Sequence, residues 1–126
     1  SNLSMKILTV DDSSTVRFVM KSAIESLGHT CLMATNGQEA LAIVSAEPID
    51  VVLLDWNMPL MDGREVLREI RKKPICKNTK VLMCTSEATR GDVEQILRLG
   101  VEGYVLKPIS PDRLKAELAK IGVGPA

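Results

Sequence analysis

The sequence predicts an α/β fold, a single doubly wound parallel sheet of five strands with helices on both faces. Three observations carry this. Short apolar runs alternate with helical patterns five times along the chain, as parallel strands joined by helical crossovers require. The runs are apolar at every position rather than every second one, so both sheet faces are covered. The length, 126 residues, suits one domain with one continuous core.

The first strand is KILTV, Lys6 to Val10. Val16, Val19, Met20, Ala23, Ile24 and Leu27 then recur every three or four residues and form a helix. Gly28 stands where a helix-terminating glycine belongs. The second strand covers Thr30 to Ala34. Asn36-Gly37 reads as a turn, and Ala40, Leu41 and Val44 form a short helix closed by Pro48. VVLLD, Val51 to Asp55, is the third strand. Val66, Leu67 and Ile70 mark a helix over Glu65 to Lys72. KVLMCT, Lys80 to Thr85, is the fourth strand. Val93, Ile96, Leu97 and Gly100 mark the fourth helix and its stop. Gly103 to Leu106 is the fifth strand, and Leu114, Leu118 and Ile121 stripe the last helix. The tail, Gly122 to Ala126, is too short and too rich in Gly and Pro for another element. Ser1 to Ser4 are expected to be an expression remnant ahead of a native Met5.

Bulk properties exclude several function classes. Formal net charge is +0, which gives no electrostatic case for direct nucleic-acid or membrane-surface binding. No apolar run approaches 18 residues, so no membrane span is expected. Cys31, Cys76 and Cys84 are odd in number and lack zinc-ligand spacing. They read as reduced thiols of a cytoplasmic protein. His29, the single histidine, lies in a turn and is assigned no role.

The chemistry gathers at the strand ends. In doubly wound sheets, ligands bind outside the carboxyl ends of the strands. There the first strand ends in Asp11-Asp12, the third in Asp55, the fourth in Thr85-Ser86-Glu87 and the fifth in Lys107-Pro108. Each piece has an ordinary reading: Asp12 or Ser13 as a helix cap, Asp55 as a turn acid, Thr85 as a strand residue, Lys-Pro as a turn. Their convergence on one edge is what points to function. Three carboxylates within ~5 Å repel by roughly 3 kcal/mol per pair at an effective dielectric of ~20, and Lys107 alone leaves excess negative charge. Mg²⁺ would offset it, since that ion takes oxygen ligands and is held by one or two carboxylates plus a phosphate. An Asp carboxylate can be the nucleophile that forms an aspartyl phosphate, with a hydroxyl and an ammonium holding the phosphoryl oxygens.

The segments V-D-D-S, L-L-D-W-N-M-P-L-M-D-G, M-C-T-S-E and G-Y-V-L-K-P, in that order, make the chain resemble the receiver domains of two-component response regulators, of the stand-alone, CheY-like chemotaxis type. The resemblance spans Lys6 to about Ile121, so the receiver is expected over 5–121 with a tail at 122–126. It implies a flavodoxin-like sheet of order 2-1-3-4-5. It implies Asp55 as phosphoacceptor for a histidine kinase. Mg²⁺, with Mn²⁺ as a substitute, would be bound by Asp12, Asp55, the Asn57 carbonyl and, through water, Asp11. Lys107 would contact the phosphoryl group, and its bond to Pro108 would be cis. Thr85 and Tyr104 would be a switch pair, and Asn57 and Glu87 would tune phosphoryl decay. Ser86 stands where Ala or Gly is common in the family. The switching segment would be the loop from Ser86 to Gly91, the fourth helix and the fifth strand, with Thr89, Gly91 and Gly100 as breakpoints. A downstream protein would bind that helix, that strand and the last helix, through side chains including Asp92, Glu94, Gln95, Arg98, Lys115 and Lys120, which otherwise read as a solvated face.

Other readings fit less well. A haloacid-dehalogenase-type phosphohydrolase carries a second acid two residues after its nucleophile; that position is Asn57 here, and a capping domain has no room. A flavin binder of this topology needs a glycine- and hydroxyl-rich phosphate loop where Asp11-Asp12 stands. A degenerate, constitutive receiver would lack groups that are present here. A receiver excised from a larger response regulator or hybrid kinase is the nearest alternative.

Overall fold

The structure, a computed structural model, describes residues 3–86 and 90–126. Five strands, β1 (Lys6–Val10), β2 (Thr30–Ala34), β3 (Val51–Asp55), β4 (Lys80–Thr85) and β5 (Gly103–Leu106), alternate with α1 (Ser14–Ser26), α2 (Gly37–Ala46), α3 (Gly63–Arg71), α4 (Arg90–Arg98) and α5 (Pro111–Lys120). The sheet order is β2-β1-β3-β4-β5 and every pairing is parallel. The predicted strand limits match throughout, because each strand is an unbroken apolar run closed by a polar or turn residue.

Neighbouring residues on a strand point to opposite faces, and both faces are filled. Ile7, Leu53, Leu82 and Val105 pack with Met20 and Ile24 of α1 and Leu114 and Leu118 of α5. Leu8, Val52, Leu54 and Met83 pack with Val44 of α2, Ile70 of α3 and Ile96 of α4. Each such side chain contributes about 1.5–3 kcal/mol through burial. This is why β3 is buried at all five positions, Asp55 included.

Helix starts differ from expectation where caps outrank apolar spacing. Asn36 is an N-cap rather than a turn residue; its Oδ1 accepts from Glu39 N at 2.8 Å. Asp62 caps α3 in the same way, accepting from Glu65 N at 2.9 Å, so that helix begins at Gly63, two residues before the expected Glu65. α4 also begins before Val93, at Arg90. A 3₁₀ turn, Pro74–Cys76, was not anticipated. Gly28 and Gly100 end α1 and α4 with φ of +85° and +84°, a region that favours glycine. Of the apolar residues that mark α4 in the sequence, Ile96 is fully buried as expected, whereas Leu97 is 48% exposed.

His29 has a structural task. It is buried, Nδ1 accepts from Met5 N at 3.0 Å, and Nε2 donates to the Gly124 carbonyl at 2.6 Å. The tail it holds is packed: Val123 is buried against α5, and Ala126 N donates to the Leu27 carbonyl at 2.8 Å. Replacing His29 with Leu leaves an amide and a carbonyl without their partner. A loss of about 1–3 kcal/mol is expected, read as a lower urea midpoint with an unchanged m-value.

Candidate functional site

The parallel topology brings the ends of β1 and β3 together, with β4 and β5 beside them. Asp11 follows β1 and is fully buried. Its amide donates to the Ala34 carbonyl at 3.2 Å, its Oδ1 accepts from Ser13 N at 2.9 Å, and Arg17 Nη1 donates to its carbonyl at 2.7 Å. Ser13, not Asp12, caps α1. Asp12 is therefore left exposed at the rim, with no side-chain partner among the described residues. Asp55 closes β3, and its Oδ1 accepts from Asn57 N at 3.3 Å. The turn-acid reading is thus also met, through one oxygen.

Lys107 joins the two buried acids. Its Nζ lies 3.1 Å from Asp55 Oδ1 and 3.0 Å from Asp11 Oδ2. The first contact is a hydrogen bond. The second is an ion pair, the one polar contact of Asp11 Oδ2 among the described residues, and that oxygen is buried with no hydrogen-bond partner. Asp11, Asp12 and Asp55 each offer an oxygen within 4.8 Å of the others. Three carboxylates facing one ammonium, with one oxygen unsatisfied, form a donor set that suits a hard divalent cation.

The electrostatics agree. Burial, reinforced by the Asp11 charge, raises the Asp55 carboxyl above the usual carboxylate range; Lys107 pulls it the other way. For Lys107, burial works to lower the ammonium, but Asp11 and Asp55 outweigh it and hold the group above its ordinary value. Burial pushes the neighbouring Cys84 thiol up to about 12.

The remaining predicted residues are distributed as follows. Thr85 is buried at the end of β4, and its carbonyl accepts from Lys107 N at 2.8 Å. Tyr104 pairs with Met83 across β4 and β5. Thr85 lies two residues beyond Met83, so Thr85 and Tyr104 share one sheet face. Tyr104 is half-buried against the α2–α4 core. Asn57 is exposed. The Lys107-Pro108 bond is cis. Glu87 and Thr89, with the side chain of Asp92, lie outside the described residues. Glu94, Arg98 and Lys120 are exposed, whereas Gln95 and Lys115 are half-buried.

Three contributors escaped sequence reasoning. Arg17 anchors the Asp11 peptide from the first turn of α1, and Arg64 lies over the Trp56 ring at 5.1 Å. Gly63 is the third: a Cβ there would stand 2.5 Å from the Asp55 carbonyl oxygen. The Asp62 cap immediately before it was the available signal.

A family model described as the response regulator receiver domain matches residues 7–119. The chain belongs to the response regulator receiver family. Chemotaxis protein CheY-3 of Vibrio cholerae is 40% identical over 121 residues, covering 95% of this receiver and 93% of that protein. Chemotaxis protein CheY of Pseudomonas aeruginosa is 41% identical over 118 residues, with coverages of 93% and 95%. Among solved structures, chemotaxis response regulator CheY4 of V. cholerae superposes with a TM-score of 0.89 at 31% identity, over 94% of the receiver and 99% of that chain. The receiver domain of the sensor histidine kinase PA1611 of P. aeruginosa, solved with a magnesium ion in its active-site cleft, gives 0.83 at 27% identity, over 96% and 100%. The receiver is thus a CheY-like phosphoacceptor signalling domain. Among the described residues no helix is long and apolar enough to cross a membrane.

The raised Asp55 carboxyl gives a stability prediction. An acid raised on folding binds its proton more tightly when folded, so stability falls as pH climbs from the ordinary carboxylate value through the raised one. Without divalent cations, Asp55→Asn should melt at a higher temperature than the parent at pH 7. The two curves should converge below about pH 4, near the ordinary Asp value, in thermal scans across pH.

Proposed function

We propose that the receiver takes a phosphoryl group from a histidine kinase onto Asp55, in a regulator of the chemotaxis type. The observation that carries this is the buried Asp11–Asp55 pair bridged by Lys107, with Asp12 in reach and one carboxylate oxygen unsatisfied. The chemotaxis assignment rests on relatives matched over nearly their whole length.

An Asp55 carboxylate oxygen attacks the donor phosphorus. A new P–O bond forms there, and the bond to the donor breaks with its electron pair leaving on the donor. Asp12 and Asp55 side chains and the Asn57 carbonyl would hold Mg²⁺, with Asp11 acting through water. Bound there, the ion supplies positive charge to the phosphoryl oxygens. Lys107, already hydrogen-bonded to Asp55, needs no large movement to pair with a phosphoryl oxygen. The Thr85 hydroxyl approaches another from the end of β4, and Tyr104, on the same face, fills the space released. Exposed Asn57, with Glu87, governs the approach of water and so the lifetime of the mark.

The magnitudes are sufficient. Moving a two-state element from 1:99 to 99:1 takes about 5.5 kcal/mol, and two or three charge-assisted hydrogen bonds supply about 1.5–3 kcal/mol each. The output face is a cleft of about 560 Å³ between α4, β5 and α5, lined by Leu97, Tyr104, Leu106, Arg113 and Glu117 among others. Exposed Leu97 gives it an apolar contact for a downstream protein.

Incubation with Mg²⁺ and acetyl phosphate should add about 80 Da, one acid-labile phosphoryl group, in intact-mass spectra. Asp55→Asn should show none; an adduct on that variant defeats the assignment. Trp56 follows Asp55 directly and is the single indole, so Mg²⁺ titration should change its emission saturably. Asp12→Asn should weaken that titration at least tenfold, a loss of about 1.4 kcal/mol.

A further inference from the structure

A second surface lies on the other side of α4 from the output cleft. Residues 64–80 hold seven basic and two acidic side chains, in a chain whose formal net charge is +0. Arg64, Arg68 and Arg71 recur at helical spacing along one face of α3. They wall a groove of about 290 Å³ between α3 and α4, with Leu67 and Leu99 in its lining. Arg71 and Lys72 also line an adjoining recess of about 390 Å³ around the 3₁₀ turn, with Lys73 and Lys77. The two form one trough, and Ile75 of the turn is 41% exposed.

The internal ion pairs do not use up this charge. Arg71 is committed to the Thr79 and Gly100 carbonyls and to Glu102, which ties α3 to the turn before β5. Lys72 pairs with Glu69. The side chains of Arg68, Lys73 and Lys77 have no hydrogen bond or ion pair with a described residue. Arg64 Nε is buried without an acceptor.

From these features we infer that the α3–α4 trough docks an acidic polypeptide segment bearing apolar anchors. Unpaired guanidinium groups select carboxylates through paired N–H donors. Partly exposed Leu99 and exposed Ile75 offer the anchors an apolar surface that a phosphate chain would not use. A formal net charge of +0 supplies no long-range field for nucleic acid, and the one indole nearby is covered by Arg64. This occupant is separate from the protein that reads the output cleft. Because Arg64 rests on Trp56, next to Asp55, occupancy would be felt beside the phosphoacceptor.

The test uses the full chain in EDTA with no phosphodonor, so its result is independent of whether Asp55 is phosphorylated. The probe is a synthetic peptide of four Glu-Asp-Leu repeats, followed by Trp56 emission and backbone amide shifts. Shifts should map to α3, the 3₁₀ turn and the Leu99 region. Binding should weaken at least tenfold in the double variant Arg68→Gln, Lys73→Gln, whose fold is checked by circular dichroism. A Lys-Lys-Leu repeat peptide should not bind. Shifts centred elsewhere, affinity unchanged in the variant, absence of binding, or tighter binding of a ten-nucleotide thymidine strand would each overturn the inference.

Discussion

Two carboxylates buried side by side are unstable company, and one ammonium makes them tolerable. Lys107 reaches Asp11 and Asp55 at about equal distance, and its position follows from the whole sheet. β5 must lie beside β4 for the Lys107 amide to find the Thr85 carbonyl, and β3 must lie between β1 and β4 for the two acids to converge. The parallel order is therefore a condition of the site. The compensation is also incomplete, since one Asp11 oxygen lacks a donor and Asp55 is held above the usual range. A fold optimised for stability alone would have placed apolar side chains there. The residual misfit is what gives a cation or a phosphoryl group something to relieve.

The strands and the acid cluster were legible because they rest on short-range signals. An apolar run ending in Asp states both a buried strand and the place where burial stops. Parallel alternation then brings the ends together without further information. What stayed hidden depends on pairs distant in sequence or on backbone geometry. Arg17 donating to a carbonyl, Arg64 over Trp56, and His29 joining Met5 to Gly124 leave no periodic trace. Asn36 was read as a turn residue and Asp62 was given no capping role, because apolar spacing was followed before capping chemistry. Leu97 shows a related limit: helical spacing marked it together with Ile96, while Ile96 faces the core and Leu97 faces the cleft.

The two proposed surfaces divide the labour of the helices. Thr85 and Tyr104 share the sheet face that α4 covers, so a change at Asp55 would reach α4 and β5 through the end of β4. α3 instead reaches the site through Trp56 and its own first residue. A protein seated on α3 and one seated on β5 would touch the same carboxylate by different routes. Thermodynamic linkage would make any coupling between them reciprocal.

Gly63 sharpens that last connection. Its amide donates to the Trp56 carbonyl, and its missing side chain lets the start of α3 rest against the main chain of Asp55. Strand end and helix start are consequently one rigid piece closed by a loop. Residues within the loop, such as fully exposed Leu60, can vary without moving Asp55. The first residue of α3 cannot, whatever else that helix comes to recognise. Substitution at the first residue of α3 would therefore displace the end of β3, whereas the helix's outer face is free of that constraint.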